Sequence, residues 1–201
     1  MTYYLSYSYT GDDGIMPGDK DTYKRNTLAF RNTYQANDWC KLSSSFNFAR
    51  SATDAVGTYQ GTSVVDGLYE LPRDVSLLDK KDLSSPFNTP EAYFTPYGIT
   101  NPYWALANNY NHTDAKQING KIQADINPIK DLTLTYRFGF DYTDYDSKTG
   151  YPQIALDDKL ITDDKGYAPS HMNQSGYVWA RYGRTYEFNH DFMANYKKKF
   201  F

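Results

Sequence analysis

The chain has 201 residues, of which 17% are aromatic, 21 of them Tyr, and a formal net charge of -3. Such a composition favours strands and loops over helices, and with a pI near 5.6 it lacks the basic footprint expected of a nucleic-acid binder. No apolar run approaches the roughly 20 residues of a membrane-spanning helix, yet a mean hydropathy of -0.75 does not exclude a β-barrel, whose alternating strands average out as hydrophilic.

Six stretches alternate with period 2, so that successive side chains point to opposite faces of a sheet. The first places Tyr3, Leu5, Tyr7 and Tyr9 opposite Thr2, Ser6, Ser8 and Thr10, with Tyr4 as the exception. The second, from about Tyr23 to Tyr34, sets Leu28 and Phe30 against Arg25, Thr27 and Arg31, with Asn26 and Asn32 at its wetter ends. After the link Gln35–Asp38, the third puts Cys40, Leu42, Phe46 and Phe48 against Lys41, Ser43, Ser45 and Asn47. So short a link predicts an antiparallel hairpin.

The fourth stretch is the cleanest: Ile118, Gly120, Ile122, Ala124 and Ile126 alternate with Gln117, Asn119, Lys121, Gln123 and Asp125. Beyond Asn127–Asp131, the fifth alternates Leu132, Leu134, Tyr136, Phe138, Phe140 and Tyr142 with Thr133, Thr135, Arg137, Gly139 and Asp141. The sixth, around Thr185 to Tyr196, sets Tyr186, Phe188, Phe192, Ala194 and Tyr196 against Glu187, Asn189, Asp191 and Asn195. His190 interrupts its apolar face and is expected in a packed contact or near an interface, not as a metal ligand. The closing Lys197-Lys198-Lys199 reads as a solvated turn.

Short and long connections alternate strictly: about four or five residues after the second and fourth stretches, and about a dozen, over sixty and about forty after the first, third and fifth. Outer-membrane barrels have short periplasmic turns and long extracellular loops. The expected topology therefore puts Gln35–Asp38 and Asn127–Asp131 in the periplasm, and about 11–21, 51–113 and 143–183 outside. Trp39, Tyr34, Tyr142 and Tyr186 fall where aromatic girdles belong, although cross-strand packing accounts for them too.

The fold class that follows is all-β, an antiparallel meander forming part of a large transmembrane β-barrel. Tyr3-Tyr4-Leu5-Ser6-Tyr7-Ser8-Tyr9 with Gly14-Ile15, Tyr23-Lys24-Arg25-Asn26-Thr27-Leu28 and Asp38-Trp39-Cys40-Lys41-Leu42 resemble the early-to-middle barrel of SusC/RagA-type TonB-dependent transporters. The Asn-Pro-aromatic segment Asn101–Asn109 and the strand start Asp131–Arg137 resemble later motifs of the same family, in the same order. The resemblance implies a barrel of about 22 strands with a plugged lumen, in the bacterial outer membrane. Implied with it are a SusD-like surface lipoprotein as lid, energy from TonB, and import of a glycan or peptide. On that reading residues 1–201 are a fragment without plug, TonB-contacting segment or closing strands, and unable to transport alone. Met1-Thr2-Tyr3-Tyr4-Leu5 has neither the basic nor the apolar region of a secretory signal, which adds to the expectation of a missing start.

No catalytic residues, cofactor or metal are expected. Asp12-Asp13, Asp157-Asp158 and Asp163-Asp164 read as solvated turns, with a loop calcium site as the minor alternative, while His112, His171 and His190 lack ligand spacing. Cys40 stands alone. Asp125, Asp141 and Glu187 are the carboxylates that a glycoside hydrolase would need, but positions facing a barrel lumen explain them more simply. In the long loop, Tyr97, Asn101, Tyr103, Trp104, Asn108, Asn109 and Tyr110 could stack on and hydrogen-bond a sugar or peptide, or could simply pack the loop. The competing reading is a soluble, secreted β-sandwich that binds glycans through Tyr and Trp. Under it the apolar stripe would point into a core instead of toward lipid.

Overall fold

The computed structural model describes residues 1–57, 63–69, 71–86, 88, 101–153 and 175–198. Each period-2 stretch forms a strand: β1 (Thr2–Asp13), β2 (Thr22–Asn37), β3 (Cys40–Ala55), β4 (Tyr110–Ile129), β5 (Leu132–Tyr151) and β6 (Tyr177–Tyr196). Together they make one antiparallel sheet in which each strand pairs with the next in sequence. This is the meander of a partial β-barrel. A sandwich requires a second sheet facing the first, and the described residues form none.

Register turns the alternation into two faces, because residues paired across antiparallel strands point the same way. One row runs Leu5, Phe30, Phe46, Gly120, Phe140 and Phe188 across all six strands. The row one residue away runs Tyr4, Arg31, Ser45, Lys121, Gly139 and Asn189. Leu28, Phe30, Leu42, Phe46, Ile118, Ile122, Leu134 and Phe138 therefore share one side, as the alternation predicts. That side is uncovered: Ile122 is 56% and Phe192 80% exposed.

The strands outrun the sequence expectation at the ends that carry the long connections. Ladder pairing continues to Ala55, starts at Tyr110, and reaches Tyr151 and Tyr177, so the connections shrink to 14–21, 56–109 and 152–176. Hydrophobic periodicity fades there for a physical reason. Beyond Tyr142 the apolar face of β5 turns polar, with Asp144, Asp146 and Lys148 replacing the aromatics while Tyr145 stands on the other face, so apolar alternation no longer marks the strand although its hydrogen bonds persist. At the other end, Asp38-Trp39 and Lys130-Asp131 make tight turns. Asn37 Oδ1 accepts the Trp39 N–H at 3.1 Å and Gln35 Nε2 donates to the Asn37 carbonyl at 2.7 Å, closing the first of them.

A small core sits beside the sheet, in the connection between β3 and β4. There α1 (Val64–Tyr69) and α2 (Pro102–Asn108) bury Val64, Ala105 and Leu106 against Met16 and Val56.

Gly120 lets aromatics meet across β4. A Cβ there would lie 2.7 Å from the Phe140 ring and 3.1 Å from the Ser45 carbonyl, and the Phe46 and Phe140 centroids stand 6.3 Å apart above it. Overpacking such a site costs about 1–3 kcal/mol, the penalty expected for Gly120→Val. At Gly139 the nearest atom to a Cβ is 3.7 Å away, so Gly139→Ala should shift stability by no more than about 0.5 kcal/mol. Denaturant unfolding of the full-length protein in detergent compares the two, and equal losses would contradict the packing described.

Candidate functional site

The residues singled out in the long loop separate into two groups. Asn101, Tyr103, Trp104, Asn108 and Asn109 belong to α2 and its caps, whereas Tyr110 begins β4 on the apolar side of the sheet, its ring covering Gly150. Tyr97 lies outside the described residues.

The Asn-Pro pair builds α2. Asn is a strong N-cap and Pro suits the first helical position, where its missing N–H costs nothing. Asn101 Oδ1 accepts the Tyr103 N–H at 3.0 Å, and Asn101 Nδ2 donates to the carbonyls of Asn88 at 2.8 Å and Lys80 at 3.0 Å. Asn88 in turn donates to the carbonyls of Asp79 at 2.8 Å and Asp82 at 2.9 Å. Asn101 is 0% exposed, so its amide is committed to holding the loop. The Ser84 hydroxyl and then its backbone N–H hold the Asp82 carboxyl below its ordinary range. Lys20 Nζ, on the β1–β2 connection, reaches the Ala107 carbonyl at 3.3 Å. Tyr103 and Trp104 are half-buried and Asn108 is exposed, its amide donating to the Trp104 carbonyl at 2.9 Å.

Elsewhere, His112 Nδ1 lies 2.7 Å from Asp54 and His190 Nδ1 lies 3.0 Å from the Tyr136 hydroxyl. His190 also packs against Phe138 at 5.0 Å between centroids. Asp157, Asp158, Asp163, Asp164 and His171 lie outside the described residues.

The polar face of the sheet is a second candidate surface. Arg137 Nε donates to Gln123 at 3.1 Å and its guanidinium lies 3.5 Å from Asp191. Asp125 accepts from Thr135 at 2.7 Å and from Gln123 at 2.9 Å. Asn47 donates to Asn119 at 2.8 Å. Sequence reasoning found these residues by alternation but could not see which would pair, because cross-strand neighbours such as Asn47 and Asn119 are 72 positions apart.

On the apolar face one row is mixed, with Asn32, Ser44 and His190 beside Ile122 and Phe138, and nearer the long connections its polarity changes on every strand from β2 to β6. Leu28, Phe48, Ile118, Tyr142 and Tyr186 form one row, and the next row on that face is Asn26, Arg50, Lys116, Asp144 and Arg184. Arg50 reaches Asp114 at 2.7 Å and Arg184 reaches Asp144 at 3.2 Å.

Two solved structures share this fold. A chain in the structure of the RagAB peptide transporter superposes with a TM-score of 0.59 at 20% identity over 98% of this chain. A chain of the RagAB peptide importer in its "closed-closed" state gives 0.54 at 17% identity, also over 98%. The chain spans only 20% and 28% of their lengths. No family model and no curated protein matches the sequence.

Asn101→Ala removes the cap of α2 and the amide that ties α2 to Lys80 and Asn88. Losing such buried hydrogen bonds costs about 1–3 kcal/mol, confined to the loop because its core is separate from the sheet. Hydrogen exchange should accelerate at Tyr103 and Ala105 while the amides of β4 and β5 keep their protection. Slow exchange at both helix positions would show that Asn101 does not hold the loop.

Proposed function

We propose that this chain forms part of the wall of a SusC/RagA-type importer in the bacterial outer membrane, one face toward lipid and the other toward the lumen. The observation that carries this reading is the polarity step on the apolar face, which falls in one register row on β2 through β6. On β5 the apolar band runs from Leu132 to Tyr142. Ten steps at about 3.4 Å, tilted by about 40°, give a height of about 25 Å, the value for membrane barrels. Tyr142 and Tyr186, with centroids 5.1 Å apart, form the aromatic rim at its upper edge. Beyond them the charged row would meet headgroups and water.

The likeness to chains of a peptide transporter supports transport as the general role. In the finer reading, a SusD-like surface lipoprotein closes over the long loops, TonB supplies energy, and a peptide or glycan is the cargo. Tyr97, Tyr103, Trp104, Asn108 and Asn109 of the loop, with Tyr110 at the start of β4, are the groups offered for contact with lid or cargo. Asn101 acts by positioning α2. Disrupting the gene should abolish uptake of labelled oligopeptides or oligosaccharides, and the affinity-tagged protein should co-purify a surface lipoprotein. Undiminished uptake of both cargo classes would refute the importer reading.

Membrane placement has its own test. Ile122 faces hydrocarbon in this reading and Lys121 the lumen. Ile122→Arg should cost about 2–4 kcal/mol, the penalty for a basic side chain at the bilayer midplane, whereas Lys121→Gln should cost no more than about 0.5 kcal/mol. Heat-modifiable gel mobility of the full-length variants in lipid reports both. A lost folded band for Lys121→Gln with an intact one for Ile122→Arg would reverse the two faces.

A further inference from the structure

Four charged side chains line two adjoining hollows of the polar face with no ion pair among the described residues, Arg31 and Lys121 on one side and Asp141 and Glu187 on the other. Arg31 and Lys121 stand in one register row, two strands apart, with Ser45 between them. Arg31 rests over the Tyr4 ring at 6.0 Å. Asp141 and Glu187 are direct partners on β5 and β6 in the adjacent row, an arrangement that like-charge repulsion disfavours. Thr143 gives Asp141 a hydroxyl at 3.5 Å and Asn189 gives Glu187 an amide at 3.2 Å, but no described cation neutralises either carboxylate.

The surface between these groups is hollow. One depression of about 430 Å³ lies between Arg31 and Lys121 over Ser45. A second of about 370 Å³ lies between Lys121 and the two carboxylates over Gly139, and the two share Ser45 and Lys121. Gly139 sits in register between Lys121 and Asn189, and the space its missing side chain leaves is claimed by no other residue within 3.7 Å.

We propose that this groove binds a short zwitterionic oligopeptide, its carboxylate between Arg31 and Lys121 and its ammonium at Asp141 and Glu187. Neighbouring strands are about 4.8 Å apart, so subsites centred on β3 and between β5 and β6 are separated by roughly 12 Å. An extended chain advances at most about 3.3–3.6 Å per residue, which matches three or four residues. The side-chain amides of Asn119 and Asn189 line the path between the ends and suit main-chain amides. A neutral glycan would leave all four charges uncompensated. The inference rests on the importer reading for its supply of peptide, but its test is a binding measurement independent of uptake.

Titration calorimetry of the purified full-length protein in detergent compares tetra-alanine with its N-acetylated and C-amidated forms. Each blocked form should bind about tenfold more weakly or worse, the scale of one lost charge-assisted hydrogen bond. Lys121→Gln should remove the discrimination against the amide, Lys121→Arg should restore it, and Asp141→Asn with Glu187→Gln should remove the discrimination against the acetylated form. Heat-modifiable mobility verifies that each variant is folded. Equal binding of free and blocked peptides, or no binding of tetra-alanine, overturns the proposal. So do variants that shift only the unfolding temperature, which would mean that another part of the protein fills the groove. Peptide-dependent uptake that survives these substitutions unchanged would leave the importer reading intact and remove the groove from it.

Discussion

Everything in this sheet depends on one constraint, the register of its antiparallel ladder. Side chains alternate with a period of two, so a slip of one residue on any strand would move its whole apolar set to the other face. The rows show how tightly the six strands agree. Leu5, Phe30, Phe46, Gly120, Phe140 and Phe188 align without exception on one side, and Tyr4, Arg31, Ser45, Lys121, Gly139 and Asn189 on the other. Cross-strand aromatic contacts, such as Tyr136 with Phe192 at 4.8 Å and Phe138 with Phe188 at 6.1 Å, add packing energy that only this register provides. The tight turns at Asp38-Trp39 and Lys130-Asp131 help to hold it, because short hairpin connections leave few alternative pairings.

That dependence explains what could be read from the amino acids. Ile118 to Ile126 and Leu132 to Tyr142 announce their strands because one face is apolar, and the same property places them in the sheet. Where the apolar face becomes charged, as at Asp114 and Lys116 on β4 or Asp144, Asp146 and Lys148 on β5, the pattern vanishes while the ladder continues. Strand ends were therefore the illegible part. In the loop the Asn101-Pro102 pair was singled out as a motif and Asn101 as a group for ligand contact, while its capping of α2 emerges only from the structure. Its anchor Asn88, 13 positions earlier, carries no periodic signal, and helices of six and seven residues are too short to show one. The polar groove was half legible: alternation assigned Lys121, Asp141 and Glu187 to a face, but only pairing across strands reveals which of them lack a partner.

Stability and function are partitioned between elements in this arrangement. The loop keeps a core of its own in Val64, Ala105 and Leu106, so its surface can vary without disturbing the strands. Among the described residues the sheet has no comparable core, and many of its large apolar residues, such as Ile122, Phe188 and Phe192, remain exposed. In water that face would drive association, and the edges of β1 and β6, unpaired among the described residues, would template further strands. Lipid on the apolar side and closure into a barrel would remove both liabilities, which is why the fold and the proposed membrane setting support each other. His190, an apparent flaw in the apolar face, has its Nδ1 3.0 Å from the Tyr136 hydroxyl and so does not present that ring nitrogen unpartnered to hydrocarbon.

Because neighbours in sequence face different environments, each position on these strands answers to one set of demands. Ile122 meets the requirements of an apolar surface and Lys121, one residue away, those of an aqueous one. Residues on the polar face can change without altering the apolar belt, provided the backbone stays in register. The glycines mark where this independence is used in opposite ways. On the apolar face, Gly120 gives up its side chain so that Phe46 and Phe140 can close over β4, and the space is consumed by packing. On the polar face, in the adjacent register row, Gly139 gives up its side chain and the space stays open. In the proposed groove that open space lies beside Lys121, Asp141 and Glu187.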